Sequence, residues 1–408
     1  MAIDDLRFEE IQNGRHDVRV KPLLLAIILL FFCIFCAPAE DERIFIDAKI
    51  NGKPVRFAFD TGTSFPVVLY SKAAHRLGLK VTPSDSQPGL GQVAIGLTET
   101  CHLEFGVNNF KTSVGVVDMP TYLNPPEDGV AGWPAFNYGV FSLDAATKKI
   151  MLVTNIPNES LAWIKLHIST NHHDLTLELS ANKNEKLILA VDSGSGFGIQ
   201  LNPQKWREWK SSHPNQPSTF ETYYTPNPGF VLREELWADN ISLGSLRLTD
   251  VPITEADSSD VALHSSPQTK YVATLGLAAL KRLDIVIDGK HGIAYLRPKT
   301  TPPLPYQHNR LGADFVPQDL HNDDLIAHVA DGSPADEAGI RDGDILLKED
   351  KRDVTKWRTN TNPPPDIRPV QQPAGTKLEL TLKRGDKVFT TTAVLRNILP
   401  PDAPKNSN

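Results

Sequence analysis

Two copies of a short acidic motif are the residues in this chain best suited to chemistry. They read Asp60-Thr61-Gly62-Thr63 and Asp192-Ser193-Gly194-Ser195, and each follows an apolar run. Two carboxylates held face to face cannot both ionise cheaply, so they share one proton and titrate as a coupled pair. One of them can take a proton from a bound water while the other gives one to a substrate carbonyl. The motifs therefore indicate hydrolysis of a peptide bond, with neither a metal ion nor a covalent intermediate.

The surroundings of the two motifs repeat as well. Each Asp lies between two apolar runs that are typical of strands. Farther along come two short segments that end in glycine, Val130-Ala131-Gly132 and Thr274-Leu275-Gly276, and each is followed by a strand pattern that reaches Asp144 or Asp288. Matching motifs in the same order and at similar intervals indicate an internal duplication.

This order of motifs resembles the repeated lobe of the pepsin and retropepsin superfamily of aspartic proteases, over residues 42–298. The resemblance implies a mainly β protein with two acid-protease β-barrel lobes, in which Val130 to Gly132 and Thr274 to Gly276 brace the Asp loops. Two lobes in one chain imply a pseudodimeric monomer. Because the two Asp residues are closer in sequence than in pepsins, the alternative is a homodimer whose lobes pair with another copy.

By resemblance, Asp60 and Asp192 are the catalytic dyad, and six other motif residues hold it in place. These are Thr61, Gly62, Thr63, Ser193, Gly194 and Ser195. Glycine lets the backbone approach closely, so that an N–H group can donate to a carboxylate. The fourth-position hydroxyls can bond to the outer carboxylate oxygens, and the second-position hydroxyls would reach across to the opposite loop.

A protease of this kind also needs a flap, a hairpin that closes over the substrate and excludes water. The candidate flap lies in residues 86–96, with Gly89, Leu90 and Gly91 at its tip. A glycine-rich tip without tyrosine favours the retropepsin-like version, and an ordinary surface turn is the alternative. The counterpart in the second half, around residues 213–230, is not assigned from the sequence.

The N-terminal residues predict export. An apolar run from Pro22 to Cys36 follows basic residues and precedes Ala37-Pro38-Ala39, which gives the three parts of a secretory signal. The run is shorter than the roughly 20 residues that a membrane span needs. We predict that residues 1–39 are a signal peptide, with an N-terminal membrane anchor over 22–39 as the alternative. Only Cys101 then remains, which excludes an intrachain disulfide.

A different module follows a Pro-rich linker at residues 299–307. The run from Ser333 to Leu347, SPADEAGIRDGDILL, resembles the PDZ domains of bacterial envelope proteases. The resemblance implies that N–H groups of Leu311, Gly312 and Ala313 hold the C-terminal carboxylate of a peptide, which adds a strand to an open sheet edge. Prolines at 363–365 and 369 interrupt the helix expected beside that groove. The alternative is a PDZ domain that docks on its own protease lobes and binds no peptide.

We therefore expect a first lobe over 40–157, a second lobe over 158–298, a PDZ domain over 308–398 and a disordered tail over 399–408. The expected function is that of an exported aspartic endopeptidase in the periplasm or envelope of a bacterium, acting on polypeptides, with the PDZ domain binding C-terminal peptides of substrates or partners. The alternative is a non-catalytic envelope scaffold.

We predict no cofactor and no metal site, because the histidines lack partners at ligand spacing. A net charge of −7 gives no reason to expect nucleic acid, and the membrane is involved only through the N-terminal segment.

Overall fold

The computed structural model describes residues 43–83, 93–106, 108–118, 125–169, 173–179, 186–225, 229–301, 305–318, 322–359 and 369–399. Strands dominate these residues, so the predicted mainly β class is confirmed. The predicted signal peptide, the flap tip at Gly89 to Gly91 and residues 400–408 lie outside the described part of the chain. No helix inside it is both long and apolar enough to cross a membrane.

The first sheet is formed by the first half of the chain. Its strands are β1 (Phe45–Ile50), β2 (Lys53–Asp60), β3 (Val67–Tyr70), β4 (Val81–Pro83), β5 (Val93–Thr98), β6 (Cys101–Phe105), β7 (Asn108–Thr112), β8 (Gly115–Asp118) and β9 (Gly129–Gly132). They are hydrogen-bonded in the order β4-β5-β8-β3-β9-β2-β1-β6-β7. Alternate residues face the core, as in β6, where Cys101, Leu103 and Phe105 are buried. The helix α1 (Ser71–Leu77) ends at Gly78, which takes the left-handed conformation that glycine adopts easily.

The second sheet joins both halves of the chain. Its strands are β10 (Val140–Asp144), β11 (Lys149–Val153), β12 (Ile164–Ile168), β13 (Thr176–Leu179), β14 (Lys186–Val191), β15 (Ile199–Leu201), β16 (Thr219–Thr225), β17 (Gly229–Leu243), β18 (Leu246–Glu255), β19 (Thr269–Leu275), β20 (Leu283–Asp288) and β21 (Ile293–Pro298). Their order is β11-β10-β20-β21-β12-β13-β14-β19-β15-β18-β17-β16. Because β10 pairs with β20, the two halves share one sheet, and one hydrophobic core runs through both.

Short helices connect the strands of this region. They are α2 (Pro203–Ser212), α3 (Ser258–His264), α4 (Leu277–Leu280) and the 3₁₀ helices Trp133–Ala135 and Asn158–Ala162. α2 begins as the sequence suggests, because the side chain of Asn202 accepts a hydrogen bond from the N–H of Lys205 and Pro203 occupies the first helical position.

The internal duplication is visible in the strand order. The run β4-β5-β8-β3-β9 in the first half corresponds to β16-β17-β18-β15-β19 in the second. In each run a strand that follows an Asp loop, β3 or β15, lies antiparallel to one neighbour and parallel to the other. The hairpin β16–β17 is therefore the counterpart of β4–β5, the hairpin that carries the candidate flap. This assigns the segment that the sequence left open.

The C-terminal module has a sheet and a core of its own. Its elements are β22 (Ala313–Pro317), β23 (Leu325–Val329), α5 (Pro334–Glu337), β24 (Ile345–Glu349), β25 (Arg352–Asp353), β26 (Lys377–Arg384), β27 (Lys387–Val394) and the 3₁₀ helices Trp357–Thr359 and Pro369–Gln371. The sheet order is β22-β23-β24-β26-β27, with β25 paired to β24. The SPADEAGI run forms α5, whose N-terminus is capped by the Ser333 hydroxyl. A separate hydrophobic cluster fills this module.

Candidate active site

The two Asp loops meet where the halves of the chain join. Asp60 is the last residue of β2, and Asp192 directly follows β14. β2 buries alternate residues, Val55, Phe57 and Phe59, whereas β14 is buried along its last four residues. Each strand then turns sharply through a Thr/Ser-Gly pair. The carboxyl groups of Asp60 and Asp192 line one cavity, and each lies against the glycine of the opposite loop. The structure thus brings the two predicted catalytic residues into one site within a single chain.

The second-position hydroxyls lock the two loops together. Thr61 Oγ1 donates to Val191 O at 2.6 Å and accepts from the Ser193 N–H at 3.0 Å. Ser193 Oγ donates to Phe59 O at 2.9 Å and accepts from the Thr61 N–H at 3.0 Å. These four buried bonds are related by the pseudo-twofold axis. They fix the loops relative to each other and leave both hydroxyls fully used.

The two motif glycines lie against the carboxylate of the opposite loop. A Cβ atom at Gly62 would be 2.7 Å from Asp192 Cγ, and one at Gly194 would be 2.4 Å from Asp60 Cγ. Each glycine N–H also donates at 2.9 Å to the Oδ1 atom of the Asp in its own loop. Glycine is required here because any side chain would occupy the space of a carboxylate.

The fourth-position hydroxyls are not equivalent. Thr63 Oγ1 donates to Asp60 Oδ2 at 2.7 Å, as predicted. Ser195 supports Asp192 through its backbone N–H, at 3.1 Å from Oδ1, while its Oγ atom accepts from Gln200 Nε2 at 3.4 Å. Within the described residues no bond joins the Ser195 hydroxyl to Asp192. The expectation of two matching hydroxyl bonds is therefore wrong for Ser195, because Gln200 on β15 holds that hydroxyl away.

This asymmetry decides which carboxyl group carries the shared proton. Burial raises the pKa of Asp192 well above its ordinary value, and the negative charge of Asp60 raises it further. Burial also raises the pKa of Asp60, but hydrogen bonds from the Thr63 hydroxyl, from Asp192 and from the Gly62 N–H oppose that rise. Asp192 is therefore the protonated partner, and Asp60 is the carboxylate.

The glycine-ending segments brace the loops from behind. β9 runs parallel to β2 with Gly132 opposite Asp60, and β19 runs parallel to β14. The Asp192 N–H also donates to Leu275 O at 2.9 Å. A Cβ atom at Gly132 would lie 2.1 Å from Phe65 O, so only glycine lets the brace approach the loop this closely.

Ionisable residues that sequence reasoning missed also line the cavity beside the dyad. They are Asp174, Asp260 and His264, all from the second half. His264 Nε2 lies 2.7 Å from Asp174 Oδ2, and both side chains are buried. Asp174 raises the pKa of His264 against the effect of burial, whereas burial raises the pKa of Asp260 to about 6. The Leu175 N–H donates to Thr61 O, which places Asp174 next to the first Asp loop.

The first half has a different charged group at the related position. Arg43 and Asp174 hold related positions in the two halves. Each directly precedes a residue whose carbonyl accepts a hydrogen bond from the strand that leads into the Asp of that half. Arg43 Nη1 lies 2.5 Å from Glu127 Oε1, which also accepts from the Tyr70 hydroxyl at 3.3 Å. Among the described residues, the acidic and histidine side chains that line the cavity beside the dyad thus come from the second half. In the sequence, position 174 could have been identified only through its correspondence to position 43 in the repeat.

The predicted carboxylate-binding loop of the C-terminal module lies at the start of β22. The N–H groups of Leu311 and Gly312 donate to Asn309 Oδ1, at 3.0 and 3.1 Å, and Ala313 begins the strand. The described residues contain no group of three or more His, Cys, Asp or Glu side chains that could hold a metal ion.

Comparison with protein families agrees with this architecture. A family model described as aspartyl protease matches residues 46–129, which include the first motif, and one described as PDZ domain matches residues 325–384. The chain therefore carries an aspartyl protease domain followed by a PDZ domain, as the resemblance implied. Asp192 lies outside both ranges, so its role rests on geometry. The search of curated proteins gave no match to this chain.

Proposed function

We propose that this protein is an aspartic endopeptidase whose catalytic dyad is Asp60 and Asp192. The observation that carries the proposal is that the two carboxyl groups line one cavity, each packed against the glycine of the opposite loop. The interlocked hydroxyls and closely packed glycines of both motifs support it, because a scaffold that only binds has no need to hold two acids together against their repulsion. The aspartyl protease match over the first motif supports the same reaction class.

The proton positions define the catalytic steps. Asp60, as the carboxylate, takes a proton from a water molecule, whose oxygen bonds to the carbonyl carbon of the scissile peptide. Asp192 gives its proton to the carbonyl oxygen, so a neutral tetrahedral diol forms. The proton on Asp60 then passes to the amide nitrogen as the C–N bond breaks, and Asp192 recovers a proton from a diol hydroxyl. The products are a carboxylic acid and an amine, and both groups return to their starting states.

The substrate class and location are part of the proposal. A cleft between β lobes suits polypeptide segments bound in extended form, and the PDZ match is consistent with polypeptide partners. Pairing of β10 with β20 inside one chain favours a monomer over a dimer of copies. The secretory-signal pattern of residues 1–39 supports export to the periplasm or envelope of a bacterium.

The test is cleavage of an unstructured protein by purified residues 40–408, assayed across the acidic to neutral pH range. Asp60→Asn and Asp192→Asn should each abolish cleavage, because either change removes one proton-transfer group. Asp47→Asn, an exposed change on β1, is the matched control and should keep full activity. Activity in either dyad variant equal to the wild type, or no cleavage by the folded wild type at any pH, would overturn the proposal.

A further inference from the structure

The flap counterpart in the second half, the hairpin β16–β17, contacts the PDZ domain. Both of its strands lie against β22, the strand that follows the predicted carboxylate-binding loop. β22 is the last strand of its sheet among the described residues, so its outer edge is the one to which a PDZ ligand would add. The hairpin therefore lies beside the strand to which a peptide would add.

One buried side chain, Asn309, serves both the loop and the hairpin. Its Oδ1 atom accepts from the N–H groups of Leu311 and Gly312, two of the three groups predicted to bind a peptide carboxylate. Its Nδ2 atom donates to Phe220 O on β16 at 3.1 Å, and its own carbonyl accepts from the Thr219 hydroxyl at 2.8 Å. The side chain that satisfies the loop thus also fastens the hairpin to it.

Aromatic and polar contacts extend the interface along the hairpin. The Phe230 ring at the start of β17 meets the Trp357 ring edge to face, with centroids 5.4 Å apart. Trp357 begins the 3₁₀ helix that precedes the proline-interrupted segment in the sequence. Farther along β17, the hydroxyl of Tyr306, in the linker that leads into the domain, donates to Glu235 Oε1 at 2.6 Å. The hairpin therefore contacts the PDZ domain at two places, β22 and Trp357.

We propose that the PDZ domain's partner is this chain's own β16–β17 hairpin, and that the docked domain holds this second flap against the cleft. A free peptide carboxylate would have to displace Asn309 from two N–H groups and the hairpin from the β22 edge. This develops the docking alternative that the sequence left open. Its effect on hydrolysis rests on the proposed endopeptidase function, while the docking itself does not.

The same hairpin is tied to the cleft on its other side. The Tyr223 hydroxyl donates to Asp257 Oδ2 at 2.6 Å, and Arg233 bonds to both Tyr223 and Asp257. Asp257 immediately precedes α3, which carries three residues that line the cavity beside Asp192. The second flap thus has one anchor on α3 and one on the PDZ domain. Loss of the PDZ anchor should let it move away from the cleft and weaken substrate binding.

Hydrogen exchange on residues 40–408 tests the docking without any substrate. Phe230→Ala removes the aromatic contact, and Thr219→Val removes the hydroxyl bond to Asn309 while keeping the side-chain shape. Each should speed exchange of the β16 and β17 amides roughly tenfold. Phe110→Ala, a half-buried phenylalanine on the distant strand β7, is the control and should leave the hairpin unchanged. Unchanged hairpin exchange in both variants, or a wild-type hairpin that exchanges freely, would overturn the proposal.

Peptide kinetics then test the direction of the effect. Both hairpin variants should raise KM severalfold with kcat nearly unchanged, because only the grip on substrate is loosened. A higher kcat/KM in the variants would mean that the docked domain restrains the enzyme, and it would overturn the holding role. A wild type that cleaves nothing would sink the proposed hydrolysis, but hydrogen exchange would still decide the docking.

Discussion

Replacing Glu235 by glutamine should stabilise the protein above neutral pH, because the change removes a buried carboxyl group. Glu235 lies on β17 between Thr219 and Thr254 and is only 1% exposed. Its Oε1 atom accepts from Tyr306, and its Oε2 atom has no hydrogen-bond partner in the described part of the chain. Burial and the charge of Glu221 raise the pKa of Glu235 from 4.5 to about 8.

The sign and size of the effect follow from linkage. Between pH 4.5 and 8 the folded protein keeps the Glu235 proton while the unfolded chain releases it, so the free energy of unfolding falls as pH rises. The loss on going from below pH 4.5 to pH 8 amounts to about 4 kcal/mol, at roughly 1.4 kcal/mol for each pH unit between the two pKa values. A glutamine binds no proton in either state and removes this loss.

The assay is urea unfolding of residues 40–408 at several pH values from 4 to 8, with matched buffers. The advantage of Glu235→Gln over wild type should grow with pH and reach about 4 kcal/mol at pH 8. Glu234→Gln, on the neighbouring residue, changes an exposed ion pair with Lys210 and should shift stability by less than about 1 kcal/mol at every pH. A constant difference between Glu235→Gln and wild type across the pH range would refute the neutral buried carboxyl.

Three further predictions concern the site itself. Thr61→Val removes two buried hydrogen bonds between the loops, so the free energy of unfolding should fall by about 2–4 kcal/mol in urea titrations, and no loss would contradict the interlock. Gly194→Ala should lower kcat at least a hundredfold because its Cβ atom meets Asp60, whereas Gly139→Ala, with open space around it, should not. The His264–Asp174 pair stabilises the fold below pH 6.5, and this contribution is lost as pH rises through the raised pKa of His264. His264→Gln should abolish that pH dependence in thermal unfolding, and a wild-type profile in the variant would contradict it.

The sequence predicted the parts of the site that depend on local pattern. Each Asp motif follows an apolar strand and needs glycine at a fixed position, so the repeat located the two Asp loops, and the family resemblance implied the dyad and its braces. In the segment from Ser333 to Leu347, capping and turn residues stand in an order that is typical of the helix and strand found there, α5 and β24. Each of these features depends on residues that are close together in sequence.

Long-range contacts could not be predicted in this way. The approach of His264 to Asp174 joins residues that are far apart in sequence and have no motif, and the different role of Ser195 depends on the side chain of Gln200. The sequence of residues 213–230 is rich in proline and tyrosine and shows no simple strand alternation. Only the sheet order therefore showed what the hairpin β16–β17 corresponds to. The contact of the hairpin with Asn309 joins two modules, and the sequence of each module predicts only the fold of that module.

The central claim is that Asp60 and Asp192 of one chain form one catalytic site, and a mixing experiment tests it most directly. Asp60→Asn and Asp192→Asn proteins are assayed separately and then as an equimolar mixture after refolding together from denaturant. The intrachain dyad predicts that wild type refolded in the same way cleaves, while both variants and their mixture stay inactive. Recovery of activity in the mixture would show that the site forms between copies, and activity in either single variant would show that the two carboxyl groups do not act as a pair.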